Sequence, residues 1–196
     1  MRIERVRTVV LAGGRSQRMG FDKLVAPFAG EPLARRLARA LAELDPVFVA
    51  TQAVADAVDG IAGVQVAVTE PTAGPGATLA LAHAAISPDM HLAVLACDLP
   101  FLDAARVRAF VARVPGDADL AWPVVASVPG HPVVWSPGAR MRIPALGDDE
   151  PPMRVRLDAA LRTYALEERD DAYVLDVDTP EGWARAVALT RSPPPP

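Results

Sequence analysis

The chain has 196 residues, room for one large α/β domain or two small ones, and its 51% hydrophobic and 22% charged content is that of an ordinary soluble globular protein. Its 20 basic and 24 acidic residues leave a net charge of −4, which argues against a general nucleic-acid binder, since such affinity rests on phosphate neutralisation. Cys97 is the only cysteine, the first apolar run is too short for a signal peptide, and no stretch has the length of a membrane span; a soluble, cytoplasmic protein without disulfides is expected.

Residues 7–11 (RTVVL) read as a buried strand that breaks at Gly13-Gly14. Glycines without Cβ let the backbone approach a ligand closely, and successive N–H groups in such a loop form an anion-binding nest. Arg15, Arg18 and Lys23 follow and supply charge for phosphates. Residues 11–23 (LAGGRSQRMGFDK) are therefore expected to hold a nucleoside triphosphate. The stretch has neither the Gly-Lys-Ser/Thr of a Walker A loop nor the Gly-x-Gly-x-x-Gly dinucleotide fingerprint.

Residues 32–44 place Leu33, Leu37, Ala40, Leu41 and Leu44 on one helical face and Arg35, Arg36 and Arg39 toward the other, with Pro32 in the first turn. Residues 47–50 (VFVA) and 64–68 (VQVAV) read as the second and third strands. Gly74-Pro75-Gly76 punctuates the chain before a small-residue helix at 77–86. A fourth strand at 92–96 ends in Cys97-Asp98-Leu99-Pro100, and Asp103 caps a helix at 104–114. This alternation predicts a parallel sheet with helices on its faces.

The second half is less regular. Residues 120–126 form a strand interrupted by Pro123, and His131-Pro132 leads into a short apolar strand at 133–135. Helices are expected at 139–146 and 153–161, around an acidic loop at 147–152. A last strand at 172–177 (AYVLDV) runs into Asp178, with Thr179 as N-cap and Pro180 as first residue of a helix to about Thr190. Residues 1–191 are expected to form a single domain and 192–196 a disordered or extended proline tail.

Asp98 falls where a parallel strand ends, the edge at which open α/β sheets bind ligands, and a carboxylate there suits a Mg²⁺ ion held against phosphate oxygens. Alone, an aspartate after a strand reads first as a turn residue or helix cap. Asp176 and Asp178 occupy alternate positions, so a regular strand points only one of them into a site. Cys97, His83 and His91 are read as core or surface residues, because His and Cys are too few and wrongly spaced for zinc.

LAGGRSQRMGFDK resembles the signature of the small nucleotidyltransferases that attach a nucleotide to molybdopterin, and more broadly of the sugar-phosphate nucleotidyltransferase superfamily. ACDLPFL (96–102), PGHPVVWSP (129–137) and VLDVDTPEGW (174–183) resemble that family's metal-binding strand end, substrate segment and second acidic cluster, so the similarity covers essentially the whole chain. It implies a Rossmann-like three-layer sandwich with a mostly parallel central sheet, of the nucleotide-diphospho-sugar transferase type. It assigns Arg18, Lys23 and Asp98 to catalysis. Leu11, Ala12, Gly13, Gly14, Ser16, Arg18, Lys23, Glu70, Gly76 and Asp98 are implied around the nucleotide, His131 toward the acceptor, and Asp98 with Asp178 on Mg²⁺. At Gly76 the relatives' Gly-Pro-Leu-Ala-Gly pattern is broken.

The implied reaction is Mg²⁺-dependent transfer of GMP from GTP to the terminal phosphate of molybdopterin, with release of pyrophosphate. A monoester phosphate has a second pKa of roughly 6 and is largely ionised at neutral pH, so no general base is required. LAGG and CDLPF resemble the guanylyl branch, whereas PGHPV and LDVDTP resemble the cytidylyl branch, which uses CTP. Transfer to another small phosphorylated acceptor, and a nucleotide sensor without chemistry, are the alternatives; pyrophosphate exchange separates enzyme from sensor. The resemblance also implies transient contact with molybdoenzyme maturation proteins, and no nucleic-acid or membrane partner.

Overall fold

Successive side chains of β1 (Val6–Ala12) serve two cores: Val6 and Val10 pack on one face of the sheet and Val9 on the other. A strand covered on both faces is apolar at consecutive positions, which is why this one reads as a continuous run. The computed structural model describes residues 3–14 and 20–191. After β1 come a small antiparallel pair, β2 (Pro27–Phe28) and β3 (Glu31–Pro32), then α1 (Leu33–Leu41), β4 (Val47–Ala50), α2 (Gln52–Val58), β5 (Gln65–Val68), α3 (Pro75–Ala85), β6 (His91–Ala96) and α4 (Ala104–Arg113). The remainder contributes β7 (Leu120–Val125), β8 (Val128–Pro129), β9 (Val133–Trp135), α5 (Pro137–Arg140), β10 (Thr163–Glu167) and α6 (Pro180–Arg191).

The sheet order is β10-β7-β9-β6-β1-β4-β5, with β8 paired to β7. Apart from β8, only β9 opposes its neighbours, and the other ladders are parallel. α1, α2, α4 and α6 cover one face; α3 and α5, with Ile143 and Val155, cover the other. The expected three-layer sandwich with a mostly parallel sheet is thus observed. The reversal of β9 matters for function, because it delivers the strand's amino end, with His131-Pro132, to the edge where the parallel strands finish. No described helix is long and apolar enough to cross a membrane.

Two expected caps are formed. The Asp103 carboxylate accepts the Arg106 N–H at 2.9 Å, and Thr179 Oγ1 accepts the Gly182 N–H at 3.0 Å.

The second half departs from expectation in three places. Residues 172–177 are not a strand. The Asp170 carboxylate accepts the Ala172 N–H at 3.0 Å and turns the chain into a 3₁₀ turn, after which Ala172, Tyr173 and Val177 bury their side chains without joining a ladder. The edge position belongs instead to β10, which the pattern did not reveal: it pairs in parallel with β7 and is only half-buried. The helices expected at 139–146 and 153–161 are the one-turn α5 and two 3₁₀ segments, Ile143–Ala145 and Pro152–Leu157. Pro144, Pro151 and Pro152 lack the N–H that an α-helical ladder needs. α2 was also unforeseen, since only Val54 and Val58 mark the inner face of its seven residues.

Candidate active site

Three segments meet at the carboxyl edge of the sheet. The first is the turn after β1. Gly13 O accepts the Thr72 N–H at 2.8 Å, and the Thr72 and Thr78 hydroxyls lie 2.7 Å apart. A Cβ on Gly13 would stand 3.1 Å from Thr78 Oγ1, so the glycine lets this turn lie flat on the start of α3. The second is the connection carrying Lys23. Asp22 Oδ1 accepts the Leu24 N–H at 3.1 Å, and Leu24 O accepts the Ala34 N–H at 2.9 Å, which fixes the lysine's backbone to α1.

The third is the irregular segment after β10. Its crossing of the strand ends depends on Gly130, where an added Cβ would stand 2.3 Å from Tyr173 O. That close approach permits the His131 N–H to donate to Tyr173 O at 2.9 Å, while Asp98 O accepts the Val177 N–H at 3.2 Å. Together these bonds bring Asp178 beside Asp98.

The segments converge on Lys23. Its side chain is 10% exposed, and Nζ donates to Asp98 Oδ2 at 2.7 Å and to Asp178 Oδ1. Burial would lower the lysine pKa, but the Asp98 charge and the hydrogen bonds to Asp178 and Asp98 outweigh it and hold the pKa above its ordinary value. Asp176 lies at the fringe; burial, then the charges of Asp98 and Asp178, push its carboxyl up. Among the described residues no group of three or more His, Cys, Asp or Glu side chains is placed to hold a metal by itself.

A cavity of about 600 Å³ opens over this ion pair. Of the residues singled out in the sequence, Leu11, Ala12, Gly14, Lys23, Asp98, His131 and Asp178 line it. Gly13 is packed against α3 instead. Glu70 is exposed and does not line the cavity, and neither does Gly76, which lies beneath residues 147–150 with its Cα facing Gly147 O. That acidic loop packs over Gly76, Asp148 O accepting the Ala77 N–H at 2.9 Å, whereas Gly74, Pro75 and Thr78 of the same helix start line the cavity. Arg15, Ser16 and Arg18 fall outside the described residues. Sequence reasoning missed Thr72, Thr78 and Met153 on the cavity wall. Only a hydroxyl on either side of Gly74-Pro75-Gly76 hinted at the first two.

His131 Nδ1 lies 3.2 Å from Val94 O, and a carbonyl only accepts, so Nδ1 carries the proton. Nε2 of the neutral ring is then an acceptor. Burial lowers the His131 pKa against the opposing influences of the Val94 carbonyl and Asp98. Burial likewise lowers His83, with the Arg140 charge adding to it, and His91, with partial compensation from a backbone contact.

Below a pH of about 6.5 the unfolded chain binds protons at these histidines that the folded chain refuses, so stability rises with pH through that range. The melting temperature is expected to fall between pH 7.5 and pH 5, and to fall less in the His83→Gln/His91→Gln double variant. Identical shifts in scanning fluorimetry would refute the assignment. Asp119, lowered chiefly by the Arg162 N–H, and Asp170, where the Ala172 N–H and Arg106 outweigh burial, lose their contribution only below the usual carboxylate range, outside this window.

Comparison with known proteins decides the family. The pattern of the MobA-like NTP transferase domain matches residues 8–164. The chain belongs to the MobA-like NTP transferase family. It is 31% identical over 154 residues to the molybdenum cofactor guanylyltransferase of Xanthomonas euvesicatoria, covering 79% of this chain and 66% of that protein. To the bifunctional protein GlmU of Sphingopyxis alaskensis it is 34% identical over 137 residues, covering 65% of this chain and 30% of the relative. The matches thus span between about a third and two thirds of these relatives' own length.

Among solved structures, Rv0371c of Mycobacterium tuberculosis superposes with a TM-score of 0.79 at 24% identity, covering 93% of this chain and 97% of that one. Its complex with manganese gives 0.75 at 21% identity, with 93% and 98% covered. The MobA-like family thereby accounts for the fold.

Proposed function

We propose that this MobA-like protein transfers GMP from GTP to the terminal phosphate of molybdopterin and releases pyrophosphate. The observation that carries the reading is the Asp98–Lys23–Asp178 arrangement facing a cavity walled by Leu11, Ala12 and Gly14. Two carboxylates that converge on one ammonium form a well of negative potential, and hard oxygen donors of this kind suit Mg²⁺, which takes one or two carboxylates together with substrate phosphates. Asp98 and Asp178 would hold the ion, and a bound divalent cation supplies charge neutralisation at the phosphates. The manganese in the Rv0371c complex agrees with a divalent-ion requirement.

The chain's own residues do the rest. Backbone N–H groups of the glycine turn donate to phosphate oxygens, and Arg18 is assigned there with them. Lys23 is a point charge that exchanges a carboxylate for a phosphate oxygen. The acceptor phosphate is already ionised at neutral pH, so His131 is not needed as a base. Its neutral Nε2 instead accepts a hydrogen bond from an acceptor N–H or O–H. Rate enhancement then comes from alignment and charge stabilisation.

CTP is the second nucleotide to test, because PGHPV and LDVDTP resemble the cytidylyl branch. The deciding experiment supplies GTP, CTP, ATP or UTP with molybdopterin and Mg²⁺ and reads pyrophosphate release. Release with GTP is expected; release with CTP alone replaces the base, and release only with another phosphorylated acceptor replaces the pathway. No release or exchange with any nucleotide would leave a sensor.

Lys23→Ala is expected to weaken triphosphate binding about tenfold or more in a calorimetric titration, the loss of one charge-assisted contact. Equal affinity would remove the lysine from the phosphate site.

A further inference from the structure

Phe21 stands two residues before Lys23 and is 45% exposed, an unusual position for a large apolar ring. Its ring meets Trp183 of α6 edge to face, with centroids 5.6 Å apart and planes at 87°. Trp183 in turn meets the fully buried Phe28 at 5.2 Å and 89°. The Arg36 guanidinium lies 5.8 Å from the Phe28 ring centroid, and its Nε donates to Pro100 O at 3.1 Å. Phe21 belongs to the connection that carries Lys23, Trp183 to the helix that follows Asp178, and Pro100 to the strand exit that carries Asp98. The Trp183 N–H also donates to Thr179 O at 2.8 Å, tying the indole's backbone to the turn beside Asp178.

We infer that the Phe21–Trp183 contact is a positioning clamp, which holds the Lys23 connection against the start of α6 so that Nζ reaches Asp98 and Asp178 together. Its catalytic consequence rests on the proposed nucleotidyl transfer; its effect on Lys23 does not. Lys23 is bonded to carboxylates on two separate segments, so a slip of its connection relative to α6 breaks one of the two bonds. Edge-to-face geometry sets the relative position of two rings more sharply than apolar contact alone. Phe21 adds little to the core because almost half of it faces solvent. The stability lost with this ring is therefore small, and the protection of Lys23 reads positioning apart from it.

The test uses the full chain and three variants, Phe21→Ala, Phe21→Tyr and Trp183→Leu. Trace labelling of amines with acetic anhydride, read by mass spectrometry, reports the protection of Lys23 independently of any activity. Lys23 is expected to label about three- to tenfold faster in Phe21→Ala than in the parent, the factor corresponding to an edge-to-face pair, with the melting temperature lowered by no more than about 5 °C and with protection restored in Phe21→Tyr. Trp183→Leu gives the same loss of protection together with a lower melting temperature, since the indole also packs on Phe28. Pyrophosphate exchange in Phe21→Ala should show a higher KM for the nucleotide, by a similar factor, and recovery in Phe21→Tyr. Unchanged Lys23 labelling in Phe21→Ala overturns the clamp, and faster labelling with unaltered exchange kinetics overturns its catalytic consequence. If the parent protein exchanges no nucleotide, the transfer reading fails while the labelling result still decides the clamp.

Discussion

Asp98→Asn is expected to lower nucleotidyl transfer by about 10²–10³-fold or more while the protein still folds. Asparagine has nearly the same volume and still offers a carbonyl oxygen to Lys23, so the end of β6 keeps its packing. What disappears is the negative charge. In the proposed reaction that charge holds the divalent ion and balances the ammonium that the triphosphate must recruit, and a neutral amide does neither. Lys23 remains paired with Asp178, so no ammonium is left buried without a counter-charge. The fold is therefore expected to lose no more than about 1–2 kcal/mol, the worth of one charged hydrogen bond. Pyrophosphate release and urea unfolding, measured on the same preparation, check both halves. Parent-like turnover would remove Asp98 from the metal site; an unfolded variant would make its role structural.

Arg140→Ala is expected to produce the largest loss of stability, about 3–5 kcal/mol. The side chain is almost completely buried, which is rare for arginine, and its surroundings explain it. Nη1 donates to Ser87 O and Met90 O at 2.7 Å each, while Nη2 donates to His83 O at 3.1 Å and Ile86 O at 3.0 Å. These carbonyls belong to the end of α3 and the loop after it, which has no further turn of helix to satisfy them. They also sit at the negative end of the helix dipole, where a cation is favoured. Burial lowers the arginine pKa, and the nearby Asp89 charge works against that.

Alanine would leave four carbonyls without this donor and a void where the guanidinium was. For a chain of this size the melting temperature should drop by roughly 10 °C. Arg140→Lys should recover part of it, because an ammonium donates to fewer of the four oxygens. The nucleotide affinity of the folded variant is expected to hold, since the cavity touches the opposite end of α3, about 16 Å away along an eleven-residue helix. A loss below about 1 kcal/mol in urea would show that water satisfies the carbonyls equally well.

The candidate site was largely legible before the fold was known, for a reason that particular residues make clear. Gly13-Gly14 after an apolar run, and Asp98 directly after another, are features of strand ends, and a parallel sheet sends all such ends to one edge. His131 entered through its segment's resemblance, although its delivery to that edge depends on the reversed strand β9. Glu70 and Gly76 were expected beside the nucleotide because of their places in the chain, but neither lines the cavity. The loop at 147–150, more than seventy positions later, lies over Gly76 and turns it away from the cavity. No local pattern near Gly76 carries that information.

The amino-acid sequence by itself determined the strands β1, β4, β5 and β6 and the helices α1, α3 and α4 of the first half, though not α2, together with the capping of α4 and α6, the turn at the first glycines and the family. These are properties of short windows: a buried run of β-branched residues, a helical apolar stripe, an aspartate or threonine before a helix. Only the tertiary structure decided that residues 172–177 cross the strand ends instead of joining the sheet, that β10 takes the edge, and that Lys23 bridges Asp98 to Asp178. Those outcomes depend on contacts between distant segments: a glycine at 130 that admits the Tyr173 carbonyl, a carboxylate at 170 that turns the chain, and one ammonium shared by two acids. Their energies appear only once the chain has closed on itself, so sequence windows do not contain them.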